Sequence, residues 1–388
     1  MRKGRSPQSS ASCPVAPKAT AEGGVREGGS ILTLWVIRSP GPRAPHHVRR
    51  FIVSMSTTSP ASAVASDLQE VERLMARIKE ARAAVAEVIH GQETVITEVL
   101  VTLLSGGHAL LIGLPGLGKT RLAQTLGVVL GLEDKRVQFT PDLMPADILG
   151  SEVLEETPEG RRGFRFLPGP VFCQLLLADE INRASPRTQS ALLQSMQERQ
   201  VSVAGLAHDL PRPFHVLATQ NPIEQEGTYP LPEAQLDRFL TQVNVGYPDE
   251  AAERRMLATT TGASEIRPRP VMAAADLLAA QALVRRVPVG EAVVQAILTL
   301  VRAGRPDSSP LRDIRDLVAW GPGPRASQSL ALAARARALL DGRTAPDIED
   351  VIALAPPVLR HRMALTFSAR ADGVPMAQVI ERLTRLIA

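Results

Sequence analysis

Residues 108–120, HALLIGLPGLGKT, constrain the fold of this 388-residue chain more than any other stretch. The apolar run Ala109–Ile112 predicts a buried parallel strand, and residues 121–130 predict the helix that follows it. Between them, Gly113–Thr120 satisfies G-x-x-x-x-G-K-[ST] at every fixed position. Glycines let backbone N–H groups converge on phosphate oxygens, and the N-terminus of the next helix adds a partial positive charge. The segment therefore predicts a loop that binds a nucleoside triphosphate rather than an ordinary Gly-rich turn.

Each part of this loop has an expected task. Lys119 would reach the β- and γ-phosphates, and the hydroxyl of Thr120 would ligate Mg²⁺. We expect ATP and Mg²⁺ to be held by Gly113, Pro115, Gly116, Leu117, Gly118, Lys119 and Thr120.

Short apolar runs alternate with helical patterns through the middle of the chain, and these runs predict the strands of a sheet. The predicted strands after the first are residues 136–140, 174–178, 215–219 and 241–245, and two hairpins are predicted within residues 152–167 and 201–208. Such alternation indicates a three-layer α/β domain with a parallel sheet. Beyond Pro248 only helical patterns remain, so residues 249–388 are predicted to form a small all-α lid domain.

The N-terminal 65 residues differ from the rest in composition. They are rich in Pro, Gly, Ser and Arg without sustained periodicity, which predicts a disordered basic tail. We favour a start of translation at Met55; the alternative is a basic arm for nucleic acid or membrane. Ser66–Gln69 has the form of a capping box and predicts the start of the first helix. The α/β core is therefore assigned to residues 66–248.

The positive net charge is confined to this tail. The chain carries +4, and residues 1–54 carry +7, from nine Lys or Arg and two Glu, which leaves −3 for the remainder. The folded part is thus a poor candidate for nucleic-acid binding. Two cysteines are too few for a disulfide framework, and no apolar run approaches the roughly 20 residues of a membrane span. A cytoplasmic location is expected.

Polar residues end two of the predicted strands. Asp179 and Glu180 follow the run 174–178, where Asp179 would hold Mg²⁺ through water and Glu180 would deprotonate the attacking water. The alternative is a solvated pair of surface charges, but this position faces the ligand crevice of an α/β sheet. Asn221 ends the next strand, where it could hold the water or the γ-phosphate, or form a simple Asn-Pro turn.

Three arginines are further candidates. Arg238 could reach a neighbouring subunit's γ-phosphate as an arginine finger, or merely pair with Asp237. Arg325 lies where a helix is predicted to begin, and a cation there opposes the helix dipole, which favours a phosphate-sensing role over a solvated one. Arg183 is an interface candidate whose role stays open.

Six ordered motifs together resemble the MoxR family of AAA+ ATPases over about residues 66–388. They are Gly113–Thr120, Leu177–Ala184, Thr188–Leu193, Ala218–Pro222, Leu231–Phe239 and Gly321–Arg325. The resemblance implies a helix-2 insert, a pre-sensor-1 hairpin, a lid carrying the sensor-2 arginine, and a homo-oligomer, for which a hexameric ring is expected. It also implies an adenine pocket lined by Ile89 and Gly91. Relatives of this family are regarded as chaperone-like remodellers, often with partners that bear von Willebrand factor A domains.

The leading hypothesis is Mg-dependent ATP hydrolysis that drives chaperone-like remodelling or maturation of protein complexes, with protein clients. The rivals are a small-molecule kinase, a non-hydrolysing nucleotide-dependent scaffold and a DNA-directed motor. Glu180 argues against the scaffold, and the −3 charge of the folded part argues against the motor.

Overall fold

A computed structural model of the protein describes residues 26–27, 30–31, 60–156, 162–223, 227–261 and 266–388. Contacts divide the chain into two compact units, Met1–Leu68 and Gln69–Ala388. In the first unit, strands β1 (Arg26–Glu27) and β2 (Ser30–Ile31) pair antiparallel. Residues 60–65, predicted to belong to the disordered tail, are helical instead. The rest of that tail, with Met55, lies outside the described residues, so its disorder and the start of translation stay predictions.

The first helix, α1, spans Pro60–Val88. It begins upstream of the predicted start, so the capping-box sequence Ser66–Gln69 lies inside the helix and that prediction is wrong. Proline suits the first helical position, and the alanines at 61, 63 and 65 are strong helix formers, which explains the earlier start. The predicted boundary between residues 65 and 66 falls within this helix.

We expect removal of residues 1–54 to leave the folding and activity of the protein unchanged. The truncation ends before α1 begins and removes only the basic, low-complexity segment. Melting temperature and ATP turnover of residues 55–388, measured beside the full chain, test this expectation. A large loss of either quantity on truncation contradicts it.

The second unit is built around a five-stranded sheet with all neighbouring strands parallel, in the order β11-β3-β10-β7-β4. Its strands are β3 (Ala109–Gly113), β4 (Asp134–Gln138), β7 (Leu175–Asp179), β10 (His215–Gln220) and β11 (Thr241–Val245). The predicted parallel α/β fold is confirmed, although β4 begins and ends two residues earlier than predicted. Because the strands are parallel, the residues that follow β3, β7 and β10 share one edge of the sheet.

Helices and hairpins surround this sheet. They are α2 (Glu93–Leu104), α3 (Lys119–Leu130), α4 (Pro145–Leu149), α5 (Pro186–Glu198), α6 (Glu233–Leu236) and a 3-10 turn (Ile181–Arg183), with the hairpins β5–β6 (Gly150–Glu156, Arg162–Pro168) and β8–β9 (Gln200–Val203, Leu206–Asp209). Both predicted hairpins are confirmed as antiparallel pairs.

The lid that follows consists mainly of helices. They are α7 (Glu250–Thr260), α8 (Ala274–Arg286), α9 (Glu291–Ala303), α10 (Arg312–Leu317), α11 (Pro324–Leu340), α12 (Ile348–Leu359), α13 (Phe367–Ala371) and α14 (Met376–Thr384), with a 3-10 turn at Pro306–Ser308. The helical lid is confirmed, with one correction to the expectation that strands end at Pro248. β12 (Val318–Trp320) and β13 (Ala364–Leu365) form a short antiparallel ladder. Strands of two and three residues are too short to show alternating hydrophobicity in the sequence.

Adjacent residues of the central strands bury their side chains on opposite faces of the sheet. Leu175 and Leu177 join one apolar cluster, and Leu176 and Ala178 join the other. The first cluster also contains α1, α2 and α3 and the lid helices, so one continuous apolar core joins the lid to this face of the sheet. The second cluster includes residues of α5 and of strand β8.

Two buried histidines predict a pH dependence of stability. Burial lowers the pKa of His108 to about 3 and that of His215 to about 4. His215 Nδ1 donates to the Gly107 carbonyl at 2.8 Å, and its Nε2 accepts from Gln281 of α8 at 2.9 Å. The ring is therefore neutral in the folded protein but titrates near 6.5 when unfolded. Its contribution is fully present above pH 6.5 and is lost as pH falls towards 4, by about 2 kcal/mol between pH 7 and pH 5.

The measurement is urea unfolding of the protein and of His215→Gln at both pH values. Glu98, whose pKa burial raises to about 7, acts in the opposite direction, so the comparison between the two proteins isolates His215. We expect the pH slope of the free energy of unfolding to decrease in the variant. His90→Gln is the matched control, and equal slopes for the protein and His215→Gln contradict the expectation.

Candidate functional site

A cavity of about 420 Å³ opens at the sheet edge where β3, β7 and β10 end. It brings together nine of the predicted site residues: Pro115, Gly116, Leu117, Gly118, Lys119, Thr120, Asp179, Glu180 and Asn221. Three residues that sequence reasoning did not assign also line it: Arg121, Arg136 and Thr219.

The backbone conformation of the loop between β3 and α3 requires glycine at two positions. Gly116 and Gly118 have φ values of +82° and +76°, in the left-handed region that favours glycine. Gly118 also provides the N-cap position of α3 and offers no side chain to bond the first helical N–H groups. These donors stay available to an anion, which is the arrangement that binds phosphate at a helix N-terminus.

Gly113 is the last residue of β3 and does not line the cavity. A Cβ atom at this position would lie 2.5 Å from the Val245 carbonyl oxygen of β11, so only glycine allows this close approach. Its own carbonyl accepts a hydrogen bond of 2.6 Å from Lys119 Nζ, as does the Leu114 carbonyl. Burial lowers the pKa of Lys119, while Asp179 and Glu180 act against that shift by favouring the ammonium.

The Asp179 carboxylate is held from both neighbouring strands. Its Oδ1 accepts a hydrogen bond of 2.5 Å from Thr219 Oγ1 on β10. Its Oδ2 accepts from Arg136 of β4, at 2.7 Å from Nη2 and 3.2 Å from Nε. These contacts fix the carboxylate at the edge of the cavity.

Glu180 follows β7 with φ 56° and ψ 50°, a left-handed conformation that is uncommon for a residue with a side chain. Its N–H donates to Thr219 Oγ1 at 2.9 Å, and its Oε2 accepts from Gln138 Nε2 at 2.7 Å and Arg183 Nη1 at 3.0 Å. Such backbone outliers cluster at functional positions, where the surroundings hold them in place. Arg183, whose role the sequence left open, thus contacts the carboxylate of its own subunit.

Asn221 is buried and forms the predicted Asn-Pro turn, while its role in holding water or the γ-phosphate stays a prediction. It lines the cavity, and its Oδ1 also accepts a hydrogen bond of 3.2 Å from the Ile223 N–H, which closes a turn at Asn-Pro. The turn holds the side chain beside the end of β7.

The two remaining arginines do not line the cavity. Arg325, in the first turn of α11, places Nη1 3.4 Å from Asp237 Oδ2. Arg238 is half-buried, and its side chain has no hydrogen bond or ion pair within the part of the chain that the structure describes. Asp237 is therefore engaged by Arg325 and not by Arg238. Sensing of its own subunit's triphosphate by Arg325 stays a prediction without a supporting contact.

The junction of α1 and α2, predicted to contact adenine, lies beside the loop. Ile89 is buried in the core, and Gly91 has φ +70° with its Cα against Ala252 and Pro248, where a Cβ would lie 2.3 Å from Ala252 Cβ. Neither residue lines the cavity. Gln92, which sequence reasoning missed, ties the junction to the loop by donating from Nε2 to the Leu117 carbonyl at 3.0 Å.

The oxygen ligands at this edge suit a magnesium nucleotide. Thr120 supplies a hydroxyl and Asp179 a carboxylate to one cavity. Mg²⁺ is commonly bound by one or two carboxylates together with substrate phosphates and water. No group of three or more His, Cys, Asp or Glu able to hold a metal occurs among the described residues.

Two protein families match the sequence of this chain, and both agree with the fold and the site described above. Residues 108–241 match the ATPase family associated with various cellular activities (AAA), and residues 311–383 match the AAA lid domain. The chain is 42% identical over 329 residues to Chaperone MoxR1 of Mycobacterium tuberculosis, covering 84% of each chain. The chain belongs to the MoxR family of AAA+ ATPases.

Other MoxR-family and structural relatives cover most of the same residues. Protein MoxR of Paracoccus denitrificans is 35% identical over 309 residues, which is 75% of this chain and 89% of the relative. The crystal structure of a candidate ATPase from Cytophaga hutchinsonii superposes with a TM-score of 0.77 at 36% identity, covering 83% of this chain and 98% of that one. Among the described residues of this MoxR-family chain, no helix has the length and apolar character needed to cross a membrane.

Proposed function

We propose that the protein hydrolyses ATP in a Mg-dependent reaction and uses the energy to remodel or mature protein complexes. The observation that carries the proposal is the convergence of the phosphate-binding loop, Asp179 and Glu180 on one cavity at the sheet edge. A nucleotide-binding loop alone serves kinases and switches as well. The Glu180 carboxylate, at the end of β7, adds a base beside the phosphates.

Each group of residues in the cavity has its own role in the proposed reaction. The N–H groups at the start of α3 and the Lys119 ammonium bind the phosphates. Thr120 and Asp179 hold Mg²⁺, which supplies charge neutralisation at the phosphate oxygens when bound. Glu180 accepts the proton of the attacking water, and Asn221 orients that water or the γ-phosphate.

Arg238 completes the site from another subunit of a homo-oligomer, for which a hexamer is the proposed state. Support comes from its position: the side chain has no partner within the described residues and does not line its own subunit's cavity. An arginine finger stabilises charge that develops on the transferred phosphoryl group.

The chaperone-like part of the proposal rests on the relatives, one of which is named Chaperone MoxR1. Protein clients, with a von Willebrand factor A domain protein among the candidate partners, follow from the family resemblance. The test is suppression of aggregation of a heat-denatured reporter enzyme. We expect suppression with Mg-ATP but not with Lys119→Ala; equal suppression by both proteins contradicts an ATP-driven role.

Phosphate release without any added acceptor tests the hydrolytic step. We expect release from ATP in the presence of Mg²⁺ and its loss when EDTA removes the metal. A small-molecule kinase would release no phosphate without its acceptor, and a nucleotide-dependent scaffold would bind ATP without release. Either of these results contradicts the proposal.

A further inference from the structure

The largest fully buried side chain of the described residues is cationic. Arg362 lies between α12 and β13 and is 2% exposed. Its donors bond to one carboxylate, one hydroxyl and three carbonyl oxygens at good distances: Asp237 Oδ1 at 2.7 Å, Ser329 Oγ at 3.3 Å, Leu240 O at 3.0 Å, Val358 O at 2.6 Å and Phe239 O at 2.6 Å. A guanidinium with these contacts is rigidly held.

Most of these acceptors belong to the short segment that carries the proposed finger. Arg362 bonds the residue before Arg238 through its carboxylate and the two residues after it through their carbonyls. The preceding lid residue, His361, donates from Nε2 to the Phe239 carbonyl at 3.0 Å. Lid residues therefore bond the chain on both sides of Arg238, through the side chain of Asp237 before it and through backbone carbonyls after it.

Asp237 also connects this segment to a second lid element. Its Oδ1 accepts from Arg362 and its Oδ2 lies 3.4 Å from Arg325 Nη1, in the first turn of α11. One carboxylate thus engages two lid arginines, while the neighbouring Arg238 guanidinium has no hydrogen bond or ion pair within the described residues.

Burying a cation to hold the lid in place is unfavourable in free energy. Removing a guanidinium from water carries a desolvation penalty, and apolar residues of similar volume often stabilise a core equally well. What apolar packing does not provide is directional bonding to particular carbonyl oxygens. The bonding pattern of Arg362 therefore suits a role in setting the position of a backbone segment.

We propose that Arg362 is a positioning residue, which acts through Asp237 and the carbonyls after Arg238 to aim the finger at a neighbouring subunit's triphosphate. The inference rests on the proposed function, because it requires ATP hydrolysis and a finger in trans. A misplacement of about 1 Å in such a group can lower a rate by about 10²-fold.

The first test uses Arg362→Lys, with Asp237→Asn as a second variant that removes only a half-buried charge. We expect each to lower ATP turnover by about 10²-fold while the dissociation constant for ATP stays unchanged. Arg343→Lys is the matched control, because it weakens a bidentate ion pair with the buried Asp350 carboxylate elsewhere in the lid. It lowers stability without touching the finger segment, so its turnover is expected to be normal.

Mixed oligomers separate positioning of the finger from general damage. Subunits of Arg362→Lys have an intact nucleotide site and a misplaced finger, whereas Lys119→Ala subunits have a defective site and an intact finger. Mixing these two is expected to raise turnover well above the sum of the separate proteins. Mixing Arg362→Lys with Arg238→Ala is expected to give no gain, because neither subunit supplies a working finger.

The opposite pattern, with rescue by Arg238→Ala alone, places Arg362 in its own subunit's site and overturns the proposal. Absence of rescue in both mixtures for Arg362→Lys and for Asp237→Asn, with joint oligomers verified by affinity tag, also overturns it. The reference mixture of Lys119→Ala with Arg238→Ala tests the proposed function itself. If this mixture shows no rescue, Arg238 does not act in trans, and the positioning role proposed for Arg362 is then also wrong.

Discussion

Replacing Arg238 with alanine is expected to abolish most ATP turnover while leaving the affinity for ATP roughly intact. The side chain contributes nothing to its own cavity, so nucleotide binding does not depend on it. A finger of this kind is worth about 10³–10⁵ in rate in other nucleotide hydrolases. Steady-state phosphate release and equilibrium titration with a fluorescent ATP analogue measure the two quantities. Arg254→Ala, an arginine exposed on α7, is the matched control.

Restoration of activity on mixing decides whether Arg238 acts in trans. Lys119→Ala subunits are inactive because they bind nucleotide weakly, but their finger is intact. An equal mixture with Arg238→Ala contains interfaces that pair a good site with a good finger, so part of the turnover returns. If joint oligomers form and remain inactive, Arg238 has a structural role or acts within its own subunit.

The isosteric change Glu180→Gln is expected to slow hydrolysis by about 10²–10⁴-fold while Mg-ATP still binds. The amide keeps the size of the side chain but cannot accept the proton of the attacking water. The loop and Asp179, which carry binding, are unaltered. Single-turnover hydrolysis and nucleotide affinity are the measurements, and Glu198→Gln at the end of α5 is the matched control. A normal rate for Glu180→Gln removes the residue from the role of base.

The sequence predicted those parts of the site that lie at strand ends. A fixed spacing of glycines, lysine and threonine identifies the loop after β3 because phosphate binding needs those residue types there. Asp179 and Asn221 were found for a related reason: both follow apolar runs that are recognisable as buried strands, and parallel strands share one edge.

Residues that reach the site from the adjacent strand β4 were not predicted from the sequence. Arg136 and Gln138 lie on β4, beside β7 in space, and the order of strands in a sheet cannot be read from a single sequence. Their alternate spacing on a strand is the only available signal, and it is shared with any exposed strand face. Thr219 lies within the motif Ala218–Pro222, yet only the structure shows that its hydroxyl bridges Asp179 and Glu180.

Contacts between the lid and the α/β core could not be predicted from the sequence for a different reason. The position of Arg325 in a helix's first turn was predicted from local pattern, but its contact with Asp237 depends on how the lid packs. Arg362 carried no signal, since one arginine among many gives no hint of burial.

The apolar core shared by lid and sheet has a mechanical consequence. Pulling the lid away would expose core side chains at a cost of about 25 cal/mol for each Å² of apolar surface, so a wide hinge opening inside the subunit is disfavoured. We therefore expect the lid and the α/β core within residues 69–388 to move together as one rigid body. If the protein forms the proposed ring, we expect ATP hydrolysis to change the tilt between neighbouring subunits rather than the shape of each subunit.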